Sequence, residues 1–157
     1  MRRNETYHYT ESGLDNVFLE GGVEYADKGK TVIIHDIDGL QHAIGLWLVR
    51  EPRRLSPKEF RFLRSELLLS QARLAKILGV KELTVGRWER GESEIPLSSE
   101  AIVRAMFLES LGEKGELKGL LEEIADLEDE IAHYRLIARE NKGRWVVSEK
   151  KLTPEAA

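Results

Sequence analysis

The 157-residue chain contains no cysteine. A disulfide framework, a thiolate zinc site and a cysteine nucleophile are therefore excluded together. Long hydrophobic runs are missing too. The longest, Ile44 to Val49, is interrupted by Gly45 and is far too short to cross a bilayer. Met1-Arg2-Arg3-Asn4-Glu5 leads into no hydrophobic signal core, so a cytoplasmic location without a membrane partner is expected. No Ser/His/Asp order, phosphate loop or paired catalytic carboxylate stands out, and His8, His42 and His133 are scattered. The one acid–imidazole cluster is His35-Asp36-Ile37-Asp38. Read as a strand, it would divide the histidine and the aspartates between opposite faces, so helix capping explains the aspartates better than a metal site. Neither an enzyme nor a cofactor or metal is expected. There is no internal repeat and no low-complexity tract.

What is present is the composition of a globular protein with one large domain or two small ones: 41% apolar and 33% charged residues. The net charge of −4 is unevenly distributed. Residues 1–50 hold 5 lysines and arginines against 8 carboxylates, residues 51–112 hold 11 against 9, and residues 113–157 hold 8 against 11. A basic segment between two acidic ones suggests a division of labour. The expected domains are 1–52, 53–112 and 113–157.

The first segment reads as a small β-rich unit with one helix. Val17-Phe18-Leu19 and Lys30-Thr31-Val32-Ile33-Ile34 are strand candidates separated by Gly21-Gly22 and Lys28-Gly29. Leu40, Ile44, Trp47 and Leu48 then share a helical face, with Asp36 or Asp38 as N-cap, and Pro52 ends that helix.

The middle segment reads as a four-helix bundle. Ser56, Pro57 and Glu59 form a capping box with proline at the first helical position, and Leu55 and Phe60 a hydrophobic staple; Phe60, Leu63 and Leu67 follow as a buried stripe. A second helix runs from Ser70 to Leu78 and stops at Gly79, where a residue without Cβ is favoured. A third covers Glu82 to Arg90 and stops at Gly91. The fourth is expected to be capped by Ser98, with Ile102, Ala105, Met106 and Leu108 turned inward.

The last segment reads as a long helix from Glu113 to Glu140, followed by a short strand at Trp145-Val146-Val147 and a polar tail. Leu117, Leu120, Ile124, Leu127, Ile131, Tyr134 and Ala138 fall at alternating steps of three and four, a heptad seam that serves either a homodimer contact or a fold back onto the same chain. The fold class expected is thus mainly α, α+β overall.

Most informative is Leu69-Ser70-Gln71-Ala72-Arg73-Leu74-Ala75-Lys76-Ile77-Leu78-Gly79-Val80, followed by Thr84-Val85-Gly86-Arg87-Trp88-Glu89-Arg90-Gly91. Leu74, Leu78, Val80, Val85 and Trp88 are expected to pack, leaving Lys81, Glu82, Leu83, Thr84 and Arg87 outside. In that geometry the second helix enters a DNA major groove while the first crosses the backbone. Ser70 and Gln71, at the start of the first helix, are candidates for phosphate contact. Arg87 has the reach for guanine O6 and N7, Leu83 for a thymine methyl, and Arg90 and Lys81 border the same face. Glu82 has two readings: it accepts from cytosine N4, or it is a helix N-terminal carboxylate favoured by the macrodipole. Core packing is the expected role of Trp88.

These residues resemble the signature L-S-Q-x-x-L-A-x-x-L-G-V of the XRE-type helix-turn-helix of Cro and lambda-repressor-like proteins, over residues 56–112. The resemblance implies that Arg64 and Glu89 form a structural ion pair. Tyr7-His8-Tyr9-Thr10-Glu11-Ser12-Gly13-Leu14-Asp15-Asn16-Val17-Phe18-Leu19 before it, and Ile95-Pro96 after it, give an order similar to the MqsA (YgiT-type) antitoxins over roughly residues 5–110. The type member's cysteine-based zinc site has no counterpart here. This second resemblance implies an operon repressor that binds double-stranded operator DNA and neutralises a cognate toxin; a homodimer is expected because a lone domain of this size buries too little DNA surface. A stand-alone or phage-type repressor, or an adaptor that binds only protein, would share many of the same features.

Overall fold

The structure is a computed structural model describing residues 6–112, 116–126 and 134–151. It is mainly helical with short antiparallel strand pairs and forms two compact units, residues 1–126 and 127–157.

The first unit opens with two strand pairs. β1 (Thr6–His8) pairs with β2 (Phe18–Glu20), and β3 (Val23–Ala26) with β4 (Thr31–Ile34). β1 and β3 are too short and polar to carry a strand signal of their own in the sequence. α1 (Ile37–Arg50) starts at Asp36, whose carboxylate accepts from the Gly39 N–H at 3.1 Å, so Asp36 rather than Asp38 is the cap. Leu48 and Val49 are buried, but Trp47 is half exposed, with the Arg53 guanidinium 4.8 Å above its ring. The inward face of α1 is rotated accordingly from the expected stripe. Gly45 leaves no room for a side chain: a Cβ there would lie 2.2 Å from the ring of Phe107.

The next four helices are α2 (Pro57–Glu66), α3 (Gln71–Leu78), α4 (Glu82–Glu89) and α5 (Leu97–Ser110). Both halves of the Ser56/Glu59 capping box are made, at 3.2 and 2.8 Å. Phe60, Leu63, Leu74, Val85 and Met106 are completely buried, each contributing about 1.5–3 kcal/mol of hydrophobic stabilisation. Leu14, Leu48 and Val49 belong to the same core cluster, so the first fifty residues and the helices share one interior. α5 corrects two expectations. Its N-cap is Pro96, with no side-chain cap, rather than Ser98. Its buried face is Ser99, Glu100, Val103, Met106 and Phe107, while Ala105 and Leu108 are exposed. The proline fixes the helix start two residues early; the inward stripe is set separately, by Val103, Met106 and Phe107 meeting the core.

Glu100 is the buried charge that the sequence reading missed. Its carboxylate accepts from Arg54 Nε at 2.9 Å, from the Leu55 N–H at 2.7 Å and from Arg104 Nη2 at 2.9 Å. Arg104 also donates to the carbonyls of Leu48, Val49 and Glu51, closing the C-terminal end of α1. One glutamate and two arginines thus hold α1, the 51–55 connection and α5 together. Burial alone would raise the Glu100 carboxyl, but the hydrogen bonds from Arg104, Arg54 and Leu55 outweigh it and hold it below the ordinary value.

The C-terminal segment departs most from expectation. The helix expected from Glu113 to Glu140 is, in the described residues, the much shorter α6 (Glu116–Ala125). It packs on α3 and α5, and Leu117 and Leu121 lie against the core cluster. Leu117 therefore covers its own chain, the fold-back alternative for the seam, and is not a free dimer contact. The side chains of Leu120 and Ile124, and the whole of Leu127 and Ile131, lie outside the described residues. Tyr134, assigned to the seam, starts a strand: β5 (Tyr134–Asn141) pairs antiparallel with β6 (Arg144–Lys151). The turn explains the difference. Lys142 and Gly143 have φ of 52° and 76°, the two positive values of a type I′ hairpin turn. Tyr134 and Ala138 are four apart, a spacing that fits a helix face and a strand face equally, so the heptad count ran on into a strand.

Candidate nucleic-acid interface

The geometry of the middle helices follows from local rules. The Ser70 hydroxyl caps α3 by accepting from the Arg73 N–H at 3.0 Å. Gly79, at φ 70°, ends α3, and the Val80 N–H bonds back to the Ala75 carbonyl. Two residues later α4 begins. Its Val85, Gly86 and Trp88 are buried, and Trp88 meets Phe60 edge-on with ring centroids 6.0 Å apart. Trp88 is thus a core residue. Lys81, Glu82, Leu83 and Arg87 are exposed and Thr84 is half-buried, so the outward face of α4 is polar except for Leu83.

Arg64 and Glu89 fix this face to the bundle. Their side chains are 11% and 3% exposed and meet at 2.7 Å, with a second contact from Arg64 Nε at 2.8 Å. Arg64 Nη1 also donates to the Leu69 carbonyl at 2.8 Å, just before the cap of α3. Glu89 in turn accepts from Gln71 Nε2 at 3.0 Å. The end of α2, the start of α3 and the end of α4 are thereby tied to one carboxylate. One amide hydrogen of Gln71 serves that contact, leaving the second for other acceptors.

The remaining cations near this face are mostly matched. Arg73 makes two bonds to Asp126 at 2.6 and 2.7 Å, and Lys76 reaches the same carboxylate at 3.3 Å. Asp126, at the end of α6, is held down to about 2, chiefly by the hydrogen bond from Arg73. Arg90 donates to Glu92 at 2.9 Å, which raises the arginine and lowers the glutamate from their ordinary values. Gly86 lies under this arginine, 2.9 Å from Nη1 by the position of a Cβ. Asp126 and Glu122 as partners of α3 were not visible in the sequence, because the contact spans about fifty residues.

Residues 60–99 match the family model for a helix-turn-helix, of the XRE type. The matched span contains most of α2, all of α3 and α4, and the beginning of α5. The helix-turn-helix therefore coincides with the part of the structure in which capping, glycine stops and the Arg64–Glu89 pair are all present. No curated protein and no solved structure matches the chain significantly. Among the described residues no group of acids and histidines could hold a metal ion, and no helix is long and apolar enough to cross a membrane.

Proposed function

We propose that the chain is a sequence-specific regulator of transcription that binds double-stranded DNA through α4, and that it serves as the autoregulating antitoxin of a toxin–antitoxin operon. The observation that carries DNA binding is the outward face of α4, with Lys81, Thr84 and Arg87, on a scaffold that matches the helix-turn-helix family model. Arg87 is exposed and is the candidate for bidentate readout of guanine; Ser70, Gln71, Lys81 and Arg90 are the candidates for phosphate and groove-edge contact, and Glu82, Leu83 and Thr84 for neighbouring base edges. The antitoxin role is supported by the Tyr7–Leu19 segment and its order before the helix-turn-helix. A homodimer on a two-fold operator, with half-sites about 10 base pairs apart or a multiple of that, is the arrangement a helix-turn-helix this small calls for.

The test is binding to a duplex spanning the upstream region of its own gene. Arg87→Ala is expected to lose about 1–3 kcal/mol and to relax preference at one base pair. Unchanged affinity and preference would show that α4 is not the reading helix. A small basic neighbouring reading frame whose toxicity the chain suppresses would support the antitoxin role; a regulated promoter with no such neighbour would leave a stand-alone repressor.

A further inference from the structure

The chain as a whole is acidic, yet residues 134–151 hold six lysines and arginines against two carboxylates, a net +4 in a protein of net −4. The register of the hairpin sorts these charges. Arg135 faces Lys150 across the ladder, Ile137 faces Ser148, Arg139 faces Val146 and Asn141 faces Arg144. Residues directly opposite share a face and successive residues alternate. One face therefore takes Arg139 and Arg144, together with Ile137, Asn141, Val146 and Ser148, with no carboxylate among these six positions. The other takes Glu140, together with Ala138, Trp145 and Val147. Lys142 adds a cation at the turn.

Like charges gathered on one face of a two-stranded ribbon repel, and a fold gains nothing from them internally. Arg139, Lys142 and Arg144 are exposed, and none of them has an ion pair among the described residues. This contrasts with Arg64, Arg73, Lys76 and Arg90, each of which meets a carboxylate. A ribbon of unpaired cations complements a dense polyanion. A two-stranded β-ribbon is also a shape that the major groove of B-form DNA admits, whereas the major groove of an RNA duplex is too narrow for side-chain readout.

We infer that the β5–β6 hairpin is a second contact for double-stranded DNA, its Arg139 and Arg144 face and the turn cation Lys142 meeting phosphates beyond those that the helix-turn-helix contacts. This rests on the DNA-binding reading of α4 and adds to it. The hairpin supplies charge and the salt-dependent part of affinity, and α4 supplies sequence preference.

The experiment measures the salt dependence of binding by the full chain, on the upstream duplex and on a scrambled duplex of the same composition. Arg139→Gln with Arg144→Gln is expected to lower the slope of log affinity against log salt by about 1–2 on both duplexes, with the ratio between them unchanged. Arg139→Lys with Arg144→Lys is expected to keep the wild-type slope, and Arg87→Ala to lose the ratio while keeping most of the slope. If the glutamine pair binds with wild-type affinity and slope while Arg87→Ala loses preference, the hairpin is not a DNA contact and the α4 reading stands. If the wild type binds neither duplex, both readings fall. If the glutamine pair keeps duplex binding but loses affinity for single-stranded RNA or for phosphatidylserine vesicles, the cationic face serves another polyanion and the proposal is overturned.

Discussion

The helical unit and the C-terminal hairpin use positive charge in opposite ways. In the helices, arginines act as internal connectors. Arg64 joins three helices through Glu89, Arg104 closes α1 through three carbonyls and Glu100, and Arg73 fastens α3 to α6. In the hairpin, Arg139 and Arg144 stand exposed with no ion pair among the described residues. A count of lysines and arginines therefore locates an interface poorly. What separates the two is pairing: Arg139, Lys142 and Arg144 have no ion pair among the described residues, whereas Arg64, Arg73 and Arg104 each meet a carboxylate. Apolar residues differ in the same sense: Leu63, Leu74 and Val85 are fully buried, whereas Trp145 is 70% exposed on a two-stranded sheet. Such a sheet is marginal without further packing.

The sharpest way to break this comparison is to remove a connector. Glu100→Ala leaves the largely covered Arg104 beside α1 without its carboxylate. The expected loss is toward the lower end of the roughly 3–5 kcal/mol typical of a broken buried pair, because Arg54 is half exposed. Its sign with pH is fixed by the lowered Glu100 carboxyl. The stabilisation is present above the ordinary carboxylate value of 4.5 and is lost as pH falls through the lower folded value. Urea denaturation from pH 7 down to pH 3 should therefore show wild type and Glu100→Ala converging in acid. A constant gap would mean that the carboxylate charge is not what holds α1 to α5.

A second break acts through space alone. Any Cβ at Gly45 meets the Phe107 ring, so Gly45→Val should cost about 1–3 kcal/mol by overpacking, read as a lower thermal midpoint. Phe107→Leu in the same chain should recover part of it. Recovery identifies crowding as the cause, since valine is a better helix former than glycine and propensity alone would predict a gain.

The sequence disclosed elements in proportion to how local their causes are. Ser56-Pro57-Lys58-Glu59, Ser70 and Gly79 each act within a few residues, and the capping box, the α3 cap and the glycine stop are all found in place. The outward face of α4 followed from the same short-range pattern. The Glu100 cluster did not: Glu100 and Arg104 are four apart on α5, but Arg54 and the end of α1 come from about fifty residues away. Nor was the end of α6 readable, since the heptad spacing of Leu117 to Tyr134 continued through residues whose spacing also suits a strand. The signal that could have broken the tie was Asn141-Lys142-Gly143-Arg144, a glycine at the second position of a two-residue turn between apolar runs.

Leu68 tests how far the helical unit tolerates a locally wrong residue. It takes φ 58° at the end of α2, with its N–H on the Ser65 carbonyl, and the Leu69 N–H closes on the Arg64 carbonyl. This is a helix stop built for glycine. The side chain is 88% exposed and has no packing to lose. Leu68→Gly should therefore raise stability by up to about 1 kcal/mol, since a left-handed conformation costs an ordinary residue about 1–2 kcal/mol and glycine returns part of that as unfolded-state entropy. A lower thermal midpoint would mean that Leu68 contributes a contact outweighing its strain.

The smallest effect distinguishes the hairpin from the helices by location. Lys142 and Gly143 both sit at positive φ, and Lys142 is the residue poorly suited to it. Lys142→Asn makes the turn Asn-Gly, the pair most favoured for type I′ geometry, and should stabilise the hairpin by a fraction of that left-handed cost of about 1–2 kcal/mol. Because residues 127–157 form a compact unit of their own, the gain should not reach the helices. Amide exchange at Arg139 and Val146, a hydrogen-bonded pair of the ladder, should slow, while exchange at Leu63 and Val85 and the thermal midpoint of the helical unit stay unchanged. The substitution also removes the turn cation but leaves Arg139 and Arg144 in place, so DNA affinity should fall by no more than one phosphate contact. Slower exchange at both sites in the helical core would show that the hairpin and helices unfold together, and the contrast between a self-supporting bundle and a separate cationic ribbon would fail.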